Sequence, residues 1–363
     1  MKNLPHYIYV DTTVVGAAKQ IATFFHRGIF STDKVVVLIK KNRLFKIKNI
    51  MAVFRQHNIR YRLVINKDID TLEKGIVFYP FNTQPSSCRV VANRHLKHIF
   101  ITHGESNKST SVKPMTRIYD YIVTAGQAGI DRYLTHHIFT PYDIEQGRLI
   151  TMGDTFIGST GLSADGKKCI FYAPTWEGSI DQENYSSLTH WQAIARRLIQ
   201  HANQQHINTI VIKPHPNTGH RLRIYRQHIF NLAKNIKENG FDVWFYQSNM
   251  VMPFWQKWKY QQHHIQLSGC LKDFQAALAI CDISAMETQL LNENIPYEIY
   301  CDDSFVKNTI EHKEDYQLVF NDNNIKLFTL KDFKQHQKYV LDSQVKNIAM
   351  QKRIDFLLSF VKD

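Results

Sequence analysis

The chain has 363 residues, 44% apolar and 21% charged, with 45 Lys and Arg against 32 Asp and Glu for a formal net charge of +13. That length exceeds what one hydrophobic core serves and predicts about two domains, while the apolar content excludes a globally disordered chain. No apolar run reaches the ~20 residues of a membrane-spanning helix, Asp11 closes the N-terminal apolar stretch too early for a secretion signal, and five cysteines without zinc spacing fit a reducing compartment, so a cytoplasmic protein is expected.

In the first half, HYIYV (6–10), KVVVLI (34–39), YRLVI (61–65), GIVFYP (75–80), HIFIT (98–102) and DYIVTA (120–125) read as buried strands. Runs apolar on consecutive residues and rich in β-branched side chains suit a parallel sheet covered on both faces. Between them lie helical patterns such as Ile50, Val53, Phe54 and His57. Strand and helix alternating in this way predict right-handed crossovers and a doubly wound α/β sheet.

GDTFIGSTGLSADGKK (153–168) changes the composition to Gly, Ser, Thr and Asp and reads as an interdomain hinge. Its glycines are spaced like a phosphate loop, but Ser159 stands where the lysine is required. The alternation then restarts. KCIFYAPTW is a strand, followed by a helix through Leu188, Trp191, Ala195, Leu198 and Ile199. INTIVIKPHP is the next strand, followed by a helix through Leu222, Tyr225, Ile229, Leu232 and Ile236 that stops at Gly240. FDVWFYQ and HIQLSG read as further strands, and CDIS and YEIYC as short ones flanking the helix ETQLLNE. Ile354, Leu357, Leu358 and Val361 mark a C-terminal amphipathic helix. The expected organisation is an N-terminal domain over 1–157, a hinge over 158–168, a second domain over 169–340, and a helix over 341–363 packing back across the domains.

In open parallel sheets ligands bind beyond the carboxyl ends of the strands. In ITHGESNKS, His103 leaves a strand directly into Gly104, a histidine placed to take a proton from a hydroxyl, with Lys108 near it to hold an anion. In FYAPTWEG, Thr175 lies at a strand end, and Trp176 reads as packing. In VIKPHPNTGHR the two prolines stiffen the loop and fix Lys213 and His215, and Asn217 and Thr218 are suited to cap the next helix, whose N-terminus attracts anions. In CDISAMETQLLNENIP, Ser284 opens a helix, and Glu287 is either a ribose ligand or a first-turn acid complementing the helix dipole. Asp68 and Asp70 read as a solvated turn, and His95/His98 and His263/His264 lack the further ligands of a zinc site. No metal or cofactor is expected.

Taken in order, HGESNK, YAPTW, KPHP and the Asp-x-Ser strand end resemble the CDP-glycerol glycerophosphotransferase family of teichoic acid and capsule synthesis, over residues 98–300. The resemblance implies a GT-B-like pair of Rossmann-like doubly wound domains facing a cleft, acceptor on the first and nucleotide on the second. It implies His103 as general base, His215 at the donor diphosphate, Ser284 beside it, and Lys213 and Thr175 as further contacts. The chain departs from the family pattern where Gly-Glu-Ser follows His103 and where Ala285 follows Ser284. The implied reaction moves glycerol phosphate from CDP-glycerol to a hydroxyl of a lipid-linked or oligosaccharide acceptor and releases CMP, in a priming or short-addition step. The alternative is a GT-B glycosyltransferase or other sugar-phosphate transferase using a nucleotide sugar or a different CDP donor in surface polysaccharide synthesis. Nucleic acid is not expected as a partner, since eighteen largely neutral histidines clamp phosphates poorly and no basic aromatic sheet face is present. Peripheral contact with an anionic membrane on the cytoplasmic side is expected from two basic amphipathic stretches, Lys40–Lys48 and MPFWQKWKYQQHH (252–264).

Overall fold

The computed structural model describes residues 5–41, 44–81, 87–101, 105–247, 252–300, 319–320 and 330–361. The chain divides into two compact units. One comprises Met1–Glu105, Thr110–Gly158 and Lys338–Asp363, the other Ser106–Ser109 and Ser159–Gln337.

The first unit is built on β1 (His6–Val10), β2 (Val35–Lys40), β3 (Tyr61–Val64), β4 (Gly75–Tyr79), β5 (Leu96–Phe100), β6 (Tyr121–Thr124) and β7 (Leu149–Thr151). All pair in parallel, in the order β3-β2-β1-β4-β5-β6-β7. The two-residue period of a strand sends alternate side chains to opposite faces. Ile8 and Val10 join Val37, Ile39, Ile76 and Phe78 in one core layer, whereas Tyr9 joins Leu38, Val77 and Tyr79 in the other. Helices α1 (Val15–His26) and α2 (Leu44–Gln56) cover the first layer. α3 (Asn66–Asp70), α4 (Ser87–Val91) and α5 (Gln127–Thr135) cover the second, with α6 (Pro141–Glu145) following. Coverage on both faces is why these strands are apolar on consecutive residues.

The second unit carries β8 (Lys167–Ala173), β9 (Thr209–Ile212), β10 (Asp242–Tyr246), β11 (Gln266–Ser268), β12 (Phe274–Cys281), β13 (Tyr297–Tyr300) and β14 (Val319–Phe320). These too are parallel, in the order β11-β10-β9-β8-β12-β13-β14. α7 (Trp191–Gln204), α8 (Ile224–Glu238) and α9 (Phe254–Gln262) bury Leu198, Ile229 and Tyr260 against Ile170, Ile210, Val243 and Phe245. α10 (Met286–Asn292) and α11 (Leu330–Leu341) follow. Both units are doubly wound α/β folds, as expected.

One reading of the sequence changes. The strand expected at CDIS is Phe274–Cys281, ending where that motif begins. Its FQAALAIC sequence is poor in β-branched residues, so intrinsic preference hides it. Its place between β8 and β13, with Ala279, Ile280 and Cys281 at 0% exposure, makes it a strand. In the Gly-rich stretch 153–168, the start is buried, whereas 158–168 is half-buried or exposed apart from Thr160. Thr155, Phe156 and Ile157 are buried in the first unit, where Arg27 donates to the carbonyls of Ile157 (2.7 Å) and Asp154 (3.0 Å), while 159–168 groups with the second. The C-terminal helix α12 (Arg353–Ser359) buries Ile354, Leu357 and Leu358 in the core of the first unit, and Arg353 donates to Asp154 at 2.5 Å. In the basic stretch 40–48, Ile47 is 1% exposed and belongs to that core, and the side chains of 42–46 lie outside the described residues.

Candidate functional site

In a doubly wound sheet the crevice opens where the strand order reverses. In the second unit that point lies between β8 and β12, with β9 on the far side of β8. The carboxyl ends of these three adjacent strands lead into Pro174-Thr175-Trp176, Lys213-Pro214-His215 and Asp282-Ile283-Ser284. Three motifs separated by up to about a hundred residues in the chain thus become neighbours along one sheet edge.

Lys108, on the segment that groups with the second unit, donates from Nζ to Thr175 Oγ1 at 2.8 Å and lies 5.5 Å from the Tyr185 ring centroid. Thr175 is 3% exposed. Its amide donates to Asp282 Oδ2 at 2.6 Å, and its carbonyl accepts from Ser186 Oγ at 3.0 Å. Burial pushes the Asp282 carboxyl up to about 7, against hydrogen bonds from Ser187 and Thr175 that favour its charged form. Burial also lowers the Lys108 ammonium to about 8, partly offset by the attraction of Asp282.

On the neighbouring loop, Lys213 donates to the Thr160 carbonyl at 2.8 Å, and burial lowers its ammonium to about 8. The adjacent Glu293 accepts from Ser159 Oγ (2.7 Å), Thr160 N (2.8 Å) and Thr160 Oγ1. His215 stacks on Trp176, with ring centroids 5.9 Å apart and planes 15° apart. Its Nδ1 accepts from the Asn217 amide at 3.1 Å, which leaves the ring proton on Nε2. Burial and then the nearby Lys108 charge lower this imidazole to about 4, so it is a neutral donor near pH 7. Two desolvated ammonium groups and a neutral N–H donor form a strongly anion-seeking set.

The helix after KPHP starts at Ile224, not near Asn217 and Thr218. The cause is Glu177, unmarked in the sequence reading and 0% exposed, whose carboxylate accepts from the amides of Gly219 (3.0 Å), Arg221 (2.8 Å) and Leu222 (3.0 Å). These amides therefore form a loop around an internal anion, and Gly219 takes the left-handed conformation this requires (φ 71°). The anion-binding amides expected from a helix N-terminus are already occupied.

Ser284 Oγ accepts from the Met286 amide at 3.3 Å, so its hydroxyl proton remains available to donate. Glu287 is 3% exposed and held in the interior. Its Oε1 accepts from Tyr297 Oη at 3.0 Å and His336 Nε2 at 3.2 Å. His103 lies outside the described residues.

Glu105, two residues on, is 4% exposed and accepts from the Ala125 amide at 2.5 Å and Arg132 Nη1 at 3.1 Å in the first unit. The unusual glutamate after the His-Gly pair is therefore a loop anchor at the start of α5. A Cβ at Gly129 would sit 2.7 Å from Thr124 Cβ and 2.8 Å from both Glu105 carboxylate oxygens. Gly129→Ala is expected to cost about 1–3 kcal/mol through backbone displacement at this anchor, read as a lower denaturant midpoint with an unchanged slope.

Among the described residues no group of three or more His, Cys, Asp and Glu side chains is arranged to hold a metal ion. The sequence matches no protein-family model and no curated protein. Solved structures that align with this chain include UDP-GlcNAc 2-epimerase from Neisseria meningitidis bound to UDP-GlcNAc, at 10% identity over 98% of this chain and 99% of that one, with a TM-score of 0.49. A UDP-N-acetylglucosamine 2-epimerase homologue from Listeria monocytogenes aligns at 10% identity over 97% and 91% of the two chains, with a TM-score of 0.48. HepE of Anabaena, in complex with UDP and glucose, aligns at 9% identity over 99% and 100%, with a TM-score of 0.46. At these identities and TM-scores the alignments carry no argument about this chain.

Proposed function

We propose that the second unit binds the diphosphate of a nucleotide-activated donor at the carboxyl edge of β9, β8 and β12, and that the chain is a transferase moving glycerol phosphate from CDP-glycerol to an acceptor hydroxyl. The observation that carries the binding reading is the convergence of Lys108, Thr175, Lys213 and His215, three of them N–H donors, two of these desolvated cations. The motif order supports the choice of donor. In the reaction an acceptor oxygen forms a bond to the phosphorus bearing glycerol, and the diphosphate P–O bond breaks. CMP leaves with the electron pair, and the acceptor proton passes to His103. Charge developing on the leaving phosphate is met by Lys108 and Lys213 and by the Nε2–H of His215, a preorganised electrostatic arrangement.

A nucleotide-sugar glycosyltransferase is the second reading, because the same basic edge receives the diphosphate of either donor. The two differ in the bond that breaks, P–O in one and the anomeric C–O in the other. Donor trials with an oligosaccharide acceptor separate them. CMP release from CDP-glycerol, with product heavier by glycerol phosphate and turnover lost in His103→Ala, is the expected result. Consumption of UDP-GlcNAc or UDP-galactose instead overturns the donor assignment while leaving the diphosphate site in place.

The lysines also set a pH dependence. Lowered to about 8 from an ordinary 10.5, their charged forms are disfavoured in the free protein, so their contribution to stability rises with pH between about 8 and 10.5 and is constant at its minimum below about 8. A bound diphosphate favours the charged forms. CDP affinity is therefore expected to fall as pH rises through 8, by up to about tenfold per unit for each lysine that loses its proton. Titration calorimetry at pH 9 in buffers of different ionisation enthalpy is expected to show proton uptake on CDP binding.

A further inference from the structure

One surface of the second unit combines large apolar exposure with positive charge. α9 turns Tyr260 (0% exposed) and Gln256 (8%) inward and leaves Phe254, Trp255 and Trp258 at 84%, 66% and 56% exposure. Positions 254, 255 and 258 share one helix face. α8 lies alongside. Lys259 Nζ donates to Gln227 Oε1 at 3.2 Å and sits 3.8 Å from the Phe230 ring centroid, which is 5.1 Å from Tyr260 and 5.3 Å from His263. These pairings place the N-terminal turns of both helices toward the same end. There α8 and the loop before it expose Leu222 (36%) and Ile224 (52%). Arg223 and Lys257 are interspersed among these apolar residues, and neither 220–232 nor 252–265 contains an Asp or Glu.

We propose that this face docks on an anionic lipid bilayer, with Phe254, Trp255 and Trp258 entering the headgroup boundary and Arg223 and Lys257 meeting lipid phosphates. Indole has an apolar body and a polar N–H, which suits that boundary, and apolar area acting together with basic side chains is the binding mode of interfacial helices. A second copy of the chain fits less well, because apposing two such faces brings like charges together. The proposal is independent of the donor, since it concerns residues outside the diphosphate edge.

The test is co-sedimentation of the full chain with vesicles of equimolar phosphatidylglycerol and phosphatidylcholine, and with pure phosphatidylcholine. The expected result is at least about tenfold stronger partition into the anionic vesicles, weakened by salt, with a blue shift of tryptophan emission. The combined variant Phe254→Ser, Trp255→Ser, Trp258→Ser is expected to lose about a hundredfold in partition and all of the blue shift, with unchanged thermal melting and CDP binding. Arg223→Glu with Lys257→Glu is expected to reduce binding to anionic vesicles alone. Equal partition of the wild type into both vesicle types overturns the proposal, as does wild-type binding by the triple variant. A dimer that the triple variant abolishes, in a chain that ignores vesicles, overturns it in favour of a copy interface.

Discussion

Lys108→Met is expected to lower the proposed CMP release from CDP-glycerol by about 10²–10³-fold, or ~2.7–4 kcal/mol of barrier, the usual cost of removing one preorganised donor from a developing anion. The reason lies in the environment of the ammonium group. It is desolvated, bonded to Thr175 Oγ1 at 2.8 Å, and electrostatically coupled to Asp282 and His215. A charge in such a place acts on a substrate with little screening from water. Methionine keeps the length and apolar stem, and Thr175 retains its bonds to Asp282 and Ser186, so the fold is expected to survive with unchanged circular dichroism. Lys108→Arg restores charge and is expected to recover part of the rate. A Lys108→Met enzyme with wild-type CDP affinity and turnover overturns the placement of the diphosphate beside Thr175.

The second large effect is structural. Glu298, on β13, is 3% exposed and receives Arg197 of α7 through Nε (2.8 Å) and through Nη2, with His201 Nε2 3.0 Å from its Oε2. Burial alone would raise this carboxyl. The hydrogen bonds from His201 and Arg197 and their charges outweigh it, and the group lies below its ordinary range. Glu298→Ala removes from the Arg197 guanidinium, 4% exposed, the buried carboxylate that accepts from its Nε and Nη2. The expected destabilisation is about 3–5 kcal/mol, measured by denaturant unfolding. Replacing both partners, Arg197→Met with Glu298→Leu, is expected to recover most of it, since an apolar pair of similar volume carries no desolvation cost. Because the folded carboxyl titrates below its unfolded value, the difference between wild type and Glu298→Ala is expected to shrink as pH falls below about 4.

The roles of individual residues around the basic edge show where local pattern stops being informative. Lys213, His215 and Thr175 are recognisable because each follows a strongly apolar strand and carries polar chemistry just past its end. Glu177 and Asp282 are equally well placed in the chain, yet nothing local distinguishes an acid that binds a ligand from one that accepts three amides of a loop 42 to 45 residues away. Glu287 illustrates the same limit in reverse. Its first-turn position suits either a ligand or a dipole partner, and the approach of Tyr297 and His336 turns it inward.

What the residue pattern determined by itself is the succession of elements and the doubly wound character of both sheets, because apolar runs, β-branched residues and helical periodicity report burial directly. It also marked the loops proposed to bind the donor, since polar residues at strand ends are placed by the strands that precede them. Only the tertiary structure decided that β8 lies between β9 and β12, which makes neighbours of YAPTW, KPHP and Asp282. It also decided that Ser106–Ser109 groups with the second unit and Lys338–Asp363 with the first, and that FQAALAIC is a central strand. Each of these depends on partners distant in sequence, whose burial and hydrogen bonds override local preference, and no window along the chain contains both members of such a pair.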